Sequence, residues 1–281
     1  MTVHLPMPET VARYLSRLAL PGNLAPTAET LAGLQRRHLD AVPYENLAIM
    51  LGRPDSTDPG QTLERIAGGG NAGYCFHHNG AFEVVLRAVG FAVERRSGQV
   101  RGRTTPRLNH LALLVTIDGR RWWPDVGLGD ALRDPVEVVA GEIRQGPFRY
   151  EITDAGEEGW TFWHDPAAAG SYTALDVHAR HPADPEVANA HRVLSTPPDG
   201  RFTRVLVVLR RDDTGTDALR GIRHQRTGDG AFTRDLESYD DWRAVLEALG
   251  VSLADVVDDD LRSLHARMLA AHELWVAASE R

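Results

Sequence analysis

The sequence predicts an α+β protein built from a helical stretch over residues 1–90, an antiparallel sheet or barrel over 91–202 and a mixed α/β unit over 203–281. Three observations carry this. Apolar residues in the first ninety positions recur at helical spacing behind Pro and Thr residues suited to helix starts. After Gly90 the pattern changes to short β-branched and aromatic runs, FAVERRSGQV, LALLVTI, RRWWPDV, FRYEIT and WTFWH, separated by Gly, Asp and Pro. Beyond residue 203 a strand-like TRVLVVL is followed by helix patterns at Tyr239–Leu249 and Asp258–Ala278.

Taken in order, Pro8-Glu9-Thr10 opens a helix that should run to Leu20. Pro26-Thr27-Ala28-Glu29 opens a second, with Thr27 and Thr30 as caps and Leu31, Leu34 and Leu39 as its apolar side. The stretch RRHLDAVPYENLAIMLGRP mixes a helix end with a turn at Pro43, and a third helix should run from Cys75 to Val89, stopped by Gly90. Asp118-Gly119 between LALLVTI and RRWW is a two-residue hairpin signal. The Asp/Gly-rich 211–230 region is expected to be a flexible loop.

Composition excludes several function classes. With 42% hydrophobic and 25% charged residues the chain can bury a core. Its 31 Lys+Arg are outnumbered by 39 Asp+Glu, giving a formal charge of −8, and they form no stripe, so a nucleic-acid partner is not expected. The first twenty residues interrupt any signal-like apolar core with Pro and charge, and no run approaches the ~20 apolar residues of a membrane span. A cytoplasmic protein without a membrane partner is expected. The single cysteine, Cys75, can form no internal disulfide, which suits a reducing compartment.

That cysteine follows GGGNAGY at the start of the third predicted helix. A helix N-terminus favours a thiolate, and glycines admit close backbone approach to a reacting carbonyl. The plainer reading is a small buried apolar side chain opening a core helix. Partners for a reactive thiol come from LNHLALLVTIDGRRWWPDVGLG. If Asp118-Gly119 is a type I′ turn, Ile117 faces Arg120 and Ala112 faces Asp125, which makes His110 and Asp125 diagonal neighbours on one face, roughly 7–8 Å apart by Cα. Pro124 disturbs this register, since it lacks the N–H its ladder position needs. Cys, His and Asp in this order fit nucleophile, base and orienter. GGGNAG lacks the residues of a phosphate loop, and His77-His78 diverge by ~100° on a helix, so no metal site is expected.

On HLDAVPYENLAI (38–49), GYCFHHN (73–79), HLALLV (110–115), DVGLGD (125–130) and EVANAHRVLSTPPDGRF (186–202), the chain resembles the arylamine N-acetyltransferases over nearly its full length. The resemblance implies a helical bundle carrying the nucleophile, a β-barrel carrying its partners and a C-terminal α/β lid, with a cysteine-protease-like core. It implies a Cys75–His110–Asp125 triad and substrate contacts at Tyr44, Tyr74, Phe76, Gly127, Leu128, Gly129 and Phe202. It also implies ping-pong acetyl transfer from acetyl-CoA, a co-substrate rather than a bound cofactor, to an arylamine, hydrazine or N-hydroxyarylamine, with no metal. Oligomeric state is not implied.

Three positions depart from the family pattern. Asn71-Ala72-Gly73 stands where Arg-Gly-Gly is usual, His77 where Glu is frequent, and Leu128 where Phe is usual, which removes an aromatic face. These leave open an amide synthase of the same fold that transfers a longer acyl or polyketide chain. A papain-like hydrolase fits less well, because its His follows the Cys by some 130–150 residues and here the two are 35 apart.

Overall fold

The computed structural model describes residues 7–102, 106–168, 172–198 and 200–279. Helix α1 (Glu9–Arg17) stops short of Leu20, because the Leu18 and Ala19 N–H groups bond back to Tyr14 and Ser16 and Ala19 turns left-handed at φ 54°. Helix α2 (Ala28–Ala41) is capped by Thr27, whose side chain accepts from the Thr30 N–H, an interaction worth ~1 kcal/mol. Leu31, Leu34 and Leu39 are buried on its inner side.

Strand β1 (Tyr44–Glu45), the single turn α3 (Leu47–Met50) and helix α4 (Pro59–Ala67) then lead to α5 (Cys75–Val89). Helix α4 had a readable start: Asp58 accepts from the Gln61 N–H at 2.8 Å and Pro59 opens the first turn. Helix α5 begins and ends where expected and is buried nearly all round. It is a core helix, and Phe82, Val85 and Leu86 pack with Leu113 and Val115 of the sheet.

An antiparallel sheet follows, formed by β2 (Ala92–Val100), β3 (His110–Ile117), β4 (Arg120–Trp123), β5 (Val136–Glu137), β6 (Gly141–Gln145), β7 (Phe148–Gly156), β8 (Gly159–Trp163) and β9 (Ala174–His178). Its strand order is β5-β4-β3-β2-β9-β8-β7-β6, so the barrel is an open half-barrel with β5 and β6 at its edges. Ala112 and Leu114 turn into it beside Trp123, Tyr150, Phe162 and Leu175. Strand β3 is therefore covered on both faces, which is why it reads as a continuous apolar run.

Helix α6 (Asp184–Ser195) precedes a second antiparallel sheet made of β10 (Val207–Arg211), β11 (Gly215–Arg220), β12 (Arg223–Gly228) and β13 (Phe232–Asp235), with β1 paired to β10 at its edge. The 211–230 region is thus a hairpin, contrary to expectation. Its acidic residues are held rather than solvated: Arg226 pairs with both Asp212 and Asp217. Helices α7 (Tyr239–Ala248) and α8 (Asp258–Ser279) pack Trp242, Leu246, Leu261 and Leu264 on this sheet, together with Leu47 and Met50 of α3. Through β1 and α3 the early chain is built into the C-terminal unit. No helix among the described residues is long and apolar enough to cross a membrane.

Candidate active site

Cys75 is the first residue of α5, after Tyr74 in extended conformation (φ −123°, ψ −165°). The first N–H groups of a helix have no intrahelical partner and sit at its positive end. The thiol is 4% exposed, lies 3.7 Å from the Asn109 carbonyl oxygen and is close enough to His110 to favour its charged form.

The hairpin between β3 and β4 forms as predicted. Asp118 and Gly119 have φ of 50° and 76°, positive at both positions as a type I′ turn requires, and Ile117, Thr116 and Val115 pair with Arg120, Arg121 and Trp122. The ladder ends there, so Ala112 does not face Asp125. Pro124 cannot donate to it, and Trp123 pairs with Val136 instead. Asp125 reaches His110 from the loop that follows, with Oδ2 2.7 Å from Nε2.

Four donors converge on that carboxylate. Gly127 N–H and Asn79 Nδ2 reach Oδ1 at 2.8 and 3.0 Å, and Trp123 Nε1 joins His110 at Oδ2 at 3.2 Å. Gln35 Oε1 accepts from the Asp125 N–H at 3.0 Å and fixes its backbone. Burial works against a charged His110, but Asp125, and then Cys75, outweigh it and push its pKa up to about 10. With Nε2 committed to Asp125, Nδ1 is the ring atom left for the thiol. The close approach also depends on Gly127: a Cβ there would lie 2.8 Å from the Cys75 Cα.

Sequence reasoning singled out neither Gln35, Asn79 nor Trp123. Asn79 alone had a signal, since it lies one helical turn beyond Cys75 and so on the same face. A cavity of about 410 Å³ opens onto Cys75 and His110 and is lined by Tyr44, Gly127, Leu128 and Phe202. Tyr74 and Phe76 do not reach its wall. Both are fully buried, and Tyr74 packs its ring 4.4 Å from Phe202 and bonds His191 Nδ1 through its hydroxyl at 2.7 Å. Gly129 also stands behind the wall, against Tyr44 and Leu209. A larger cavity of about 490 Å³ between α3, α6 and α8 contains neither Cys75 nor His110.

The departures at 71–77 have a structural counterpart. Asn71 exchanges two 2.8 Å hydrogen bonds with the Ser252 backbone, and Arg65 donates to the Ala72 carbonyl at 3.3 Å. His77 Nδ1 accepts from the Tyr74 N–H at 3.4 Å, and its Nε2 faces the Asp55 carbonyl. The Gly73 carbonyl accepts from the Glu45 N–H at 2.8 Å and from His78 Nε2 at 3.1 Å. That bond sets the direction of a buried chain: His78 Nδ1 accepts from His38 Nε2 at 2.8 Å, and His38 Nδ1 from the Tyr14 hydroxyl at 2.7 Å. Burial lowers the His78 pKa to about 4 and that of His38 well below its usual value, so the chain stays neutral.

Glu45, buried behind the same loop, accepts from the Leu47 N–H at 2.5 Å, yet desolvation still raises its pKa to about 7. A carboxyl that binds its proton more tightly when folded stabilises the fold below the unfolded pKa, and that stability is lost as pH rises through the folded one. Glu45→Gln is neutral at every pH. Between pH 4.5 and 8 the wild type should therefore lose about 3 kcal/mol relative to this variant in urea unfolding. A difference that stays constant over that range would mean that Glu45 does not titrate there.

Comparison with known proteins gives a consistent result. The N-acetyltransferase family model matches residues 27–256. An arylamine N-acetyltransferase of Mycolicibacterium smegmatis is 29% identical over 273 residues, covering 91% of this chain and 97% of that protein. Proansamycin X synthase of Amycolatopsis mediterranei is 34% identical over 135 residues, covering 46% and 52%. The solved arylamine N-acetyltransferase of Salmonella typhimurium superposes with a TM-score of 0.82 over 93% of this chain and 99% of that one, at 24% identity, a likeness of fold.

Proposed function

The chain belongs to the arylamine N-acetyltransferase family, and on that premise we propose that it moves an acetyl group from acetyl-CoA to an aromatic amine through a thioester on Cys75. The observation that carries this reading is the buried His110–Asp125 pair, 2.7 Å apart, whose histidine lines the same cavity as the chain's only thiol.

In this mechanism the Cys75 thiolate, its proton on His110, attacks the acetyl carbonyl. Backbone N–H groups of the first turn of α5 stabilise the oxyanion, and coenzyme A departs with the proton from His110. The amine then attacks the thioester, His110 takes its proton, and Cys75 is released. Asp125 holds the ring and balances its charge throughout. Hydrazines and N-hydroxyarylamines fit the same second step. A thiol that must stay reduced to carry an acyl group suits the cytoplasm, where we place the enzyme. We keep the division at 1–90, 91–202 and 203–281 as the working description of its units.

The longer-acyl alternative draws less support, because the synthase match spans 46% of the chain and the acetyltransferase match 91%. Intact mass spectrometry after incubation with acetyl-CoA tests the proposal. One acetyl group should appear on Cys75 and disappear when an arylamine is added. A thiol left unmodified by acetyl-CoA and by longer acyl thioesters would end the acyl-transfer reading.

A further inference from the structure

Trp123 is fully buried at the end of β4, where its backbone pairs with Val136 and its ring packs 5.6 Å from Trp160 and 5.1 Å from Phe162. That packing aims the indole N–H at Asp125. The two carboxylate oxygens are loaded differently: Gly127 and Asn79 bond Oδ1, while Oδ2 is shared by His110 Nε2 at 2.7 Å and Trp123 Nε1 at 3.2 Å. Trp123 therefore draws on the same oxygen that holds the imidazole. Trp160, 3% exposed, is the contrast, since its Nε1 has no hydrogen-bond partner among the described residues.

A donor to a carboxylate stabilises its charge and weakens its pull on any other proton nearby. Burial disfavours a His110 cation, whereas Asp125 and then Cys75 favour it. Once Cys75 carries an acetyl group, only Asp125 remains of these two. In the second half-reaction a C–N bond forms, the C–S bond breaks and the amine's proton passes to His110, which must be neutral to take it. Among the described residues the remaining titratable groups around the pair are His78 of α5, neutral near pH 7, and, across the cavity, Tyr44, Tyr172, Arg201, Arg204 and Arg220, while β2 presents Gly98 to the ring.

We propose that Trp123 is a positioning residue for the second half-reaction: by sharing Asp125 Oδ2 it limits the carboxylate's pull on His110, so that in the acetylated enzyme the ring is free to take the proton of the incoming amine. This rests on the acetyl-transfer reading and adds a residue to it.

The test follows kcat/KM from pH ~6 to ~10 for an aromatic amine, which reports the acetylated enzyme, and for acetyl-CoA, which reports the free one. In Trp123→Phe the rising limb of the amine profile should move up by about 0.5–1 pH unit, with about a three- to tenfold loss near pH 7 that is recovered in alkali. The acetyl-CoA profile should move less, because there the thiolate also holds the proton on His110. Trp160→Phe removes an equally buried indole whose N–H is unpaired, and should leave the midpoint of the amine profile in place. Benzothiophene in place of the Trp123 indole keeps the ring's size and lacks the N–H, so it should reproduce the shift with the packing intact. A midpoint that stays or moves down in either Trp123 variant, or a shift as large in Trp160→Phe or in the acetyl-CoA profile, overturns the proposal and leaves acetyl transfer standing. So does a loss that is equal at every pH, which marks a merely damaged site. A wild-type thiol that acetyl-CoA leaves unmodified would remove the transfer reading, and this proposal with it.

Discussion

Cys75→Ser is expected to lower acetyl transfer by about four orders of magnitude or more with little change in fold. The exchange of sulfur for oxygen at a buried helix start changes volume slightly, so the circular dichroism spectrum and thermal midpoint should stay close to wild type. The chemistry changes far more. Asp125 helps push the His110 pKa to about 10, so near neutral pH the imidazole is already a cation. With cysteine the proton it carries is the thiol's, and the nucleophile is ready. With serine the ring has no capacity to take a proton, and the hydroxyl remains neutral. The acetylated protein should also be missing from the mass spectrum. A serine variant that keeps more than about a hundredth of wild-type turnover would show that the acyl group travels by another route.

The parts of the site that were legible in the sequence are those set by local chemistry. The Asp118-Gly119 turn demands positive φ at two successive residues, which fixes the register of β3 on β4 from a dipeptide. Gly90 and the periodic apolar residues behind Cys75 set the limits of α5 in the same way. The failures share a different cause. Asp125 does not continue the ladder, because Pro124 ends it, and its contact with His110 depends on a loop held by Gln35 and Asn79 from two helices of the bundle. No periodicity reports a contact between residues 35 and 125. The 211–230 region was misread because Asp and Gly dominate its composition, whereas Arg226 neutralises its acidic residues and β10 supplies a pairing edge. Strand β1 exists only because β10, far along the chain, lies beside it.

Asp125→Asn carries the second large effect and separates a catalytic role from a structural one. The amide can keep the bonds from Gly127 and Asn79 through its oxygen, but it gives up the one from Trp123 and removes the negative charge that favours a protonated His110. Burial, which opposes that charge, then prevails, so the ring becomes neutral and the thiol keeps its proton near pH 7. Turnover at pH 7 should fall by about a thousandfold or more, in line with losing the orienting carboxylate of a triad. Part of that loss should return as pH rises past ~8.5, where a thiol ionises without help. Iodoacetamide reports the same shift without any substrate. In wild type the alkylation rate of Cys75 should change little between pH 6 and 9, and in Asp125→Asn it should climb steeply across that range. His110→Gln should behave like Asp125→Asn, because both variants lose the same thiolate–imidazolium pair. A merely distorted site would lose activity at every pH and would not recover in alkali. If all three proteins give one alkylation profile, Asp125 and His110 do not control the thiol, and the 2.7 Å bond between them serves the fold alone.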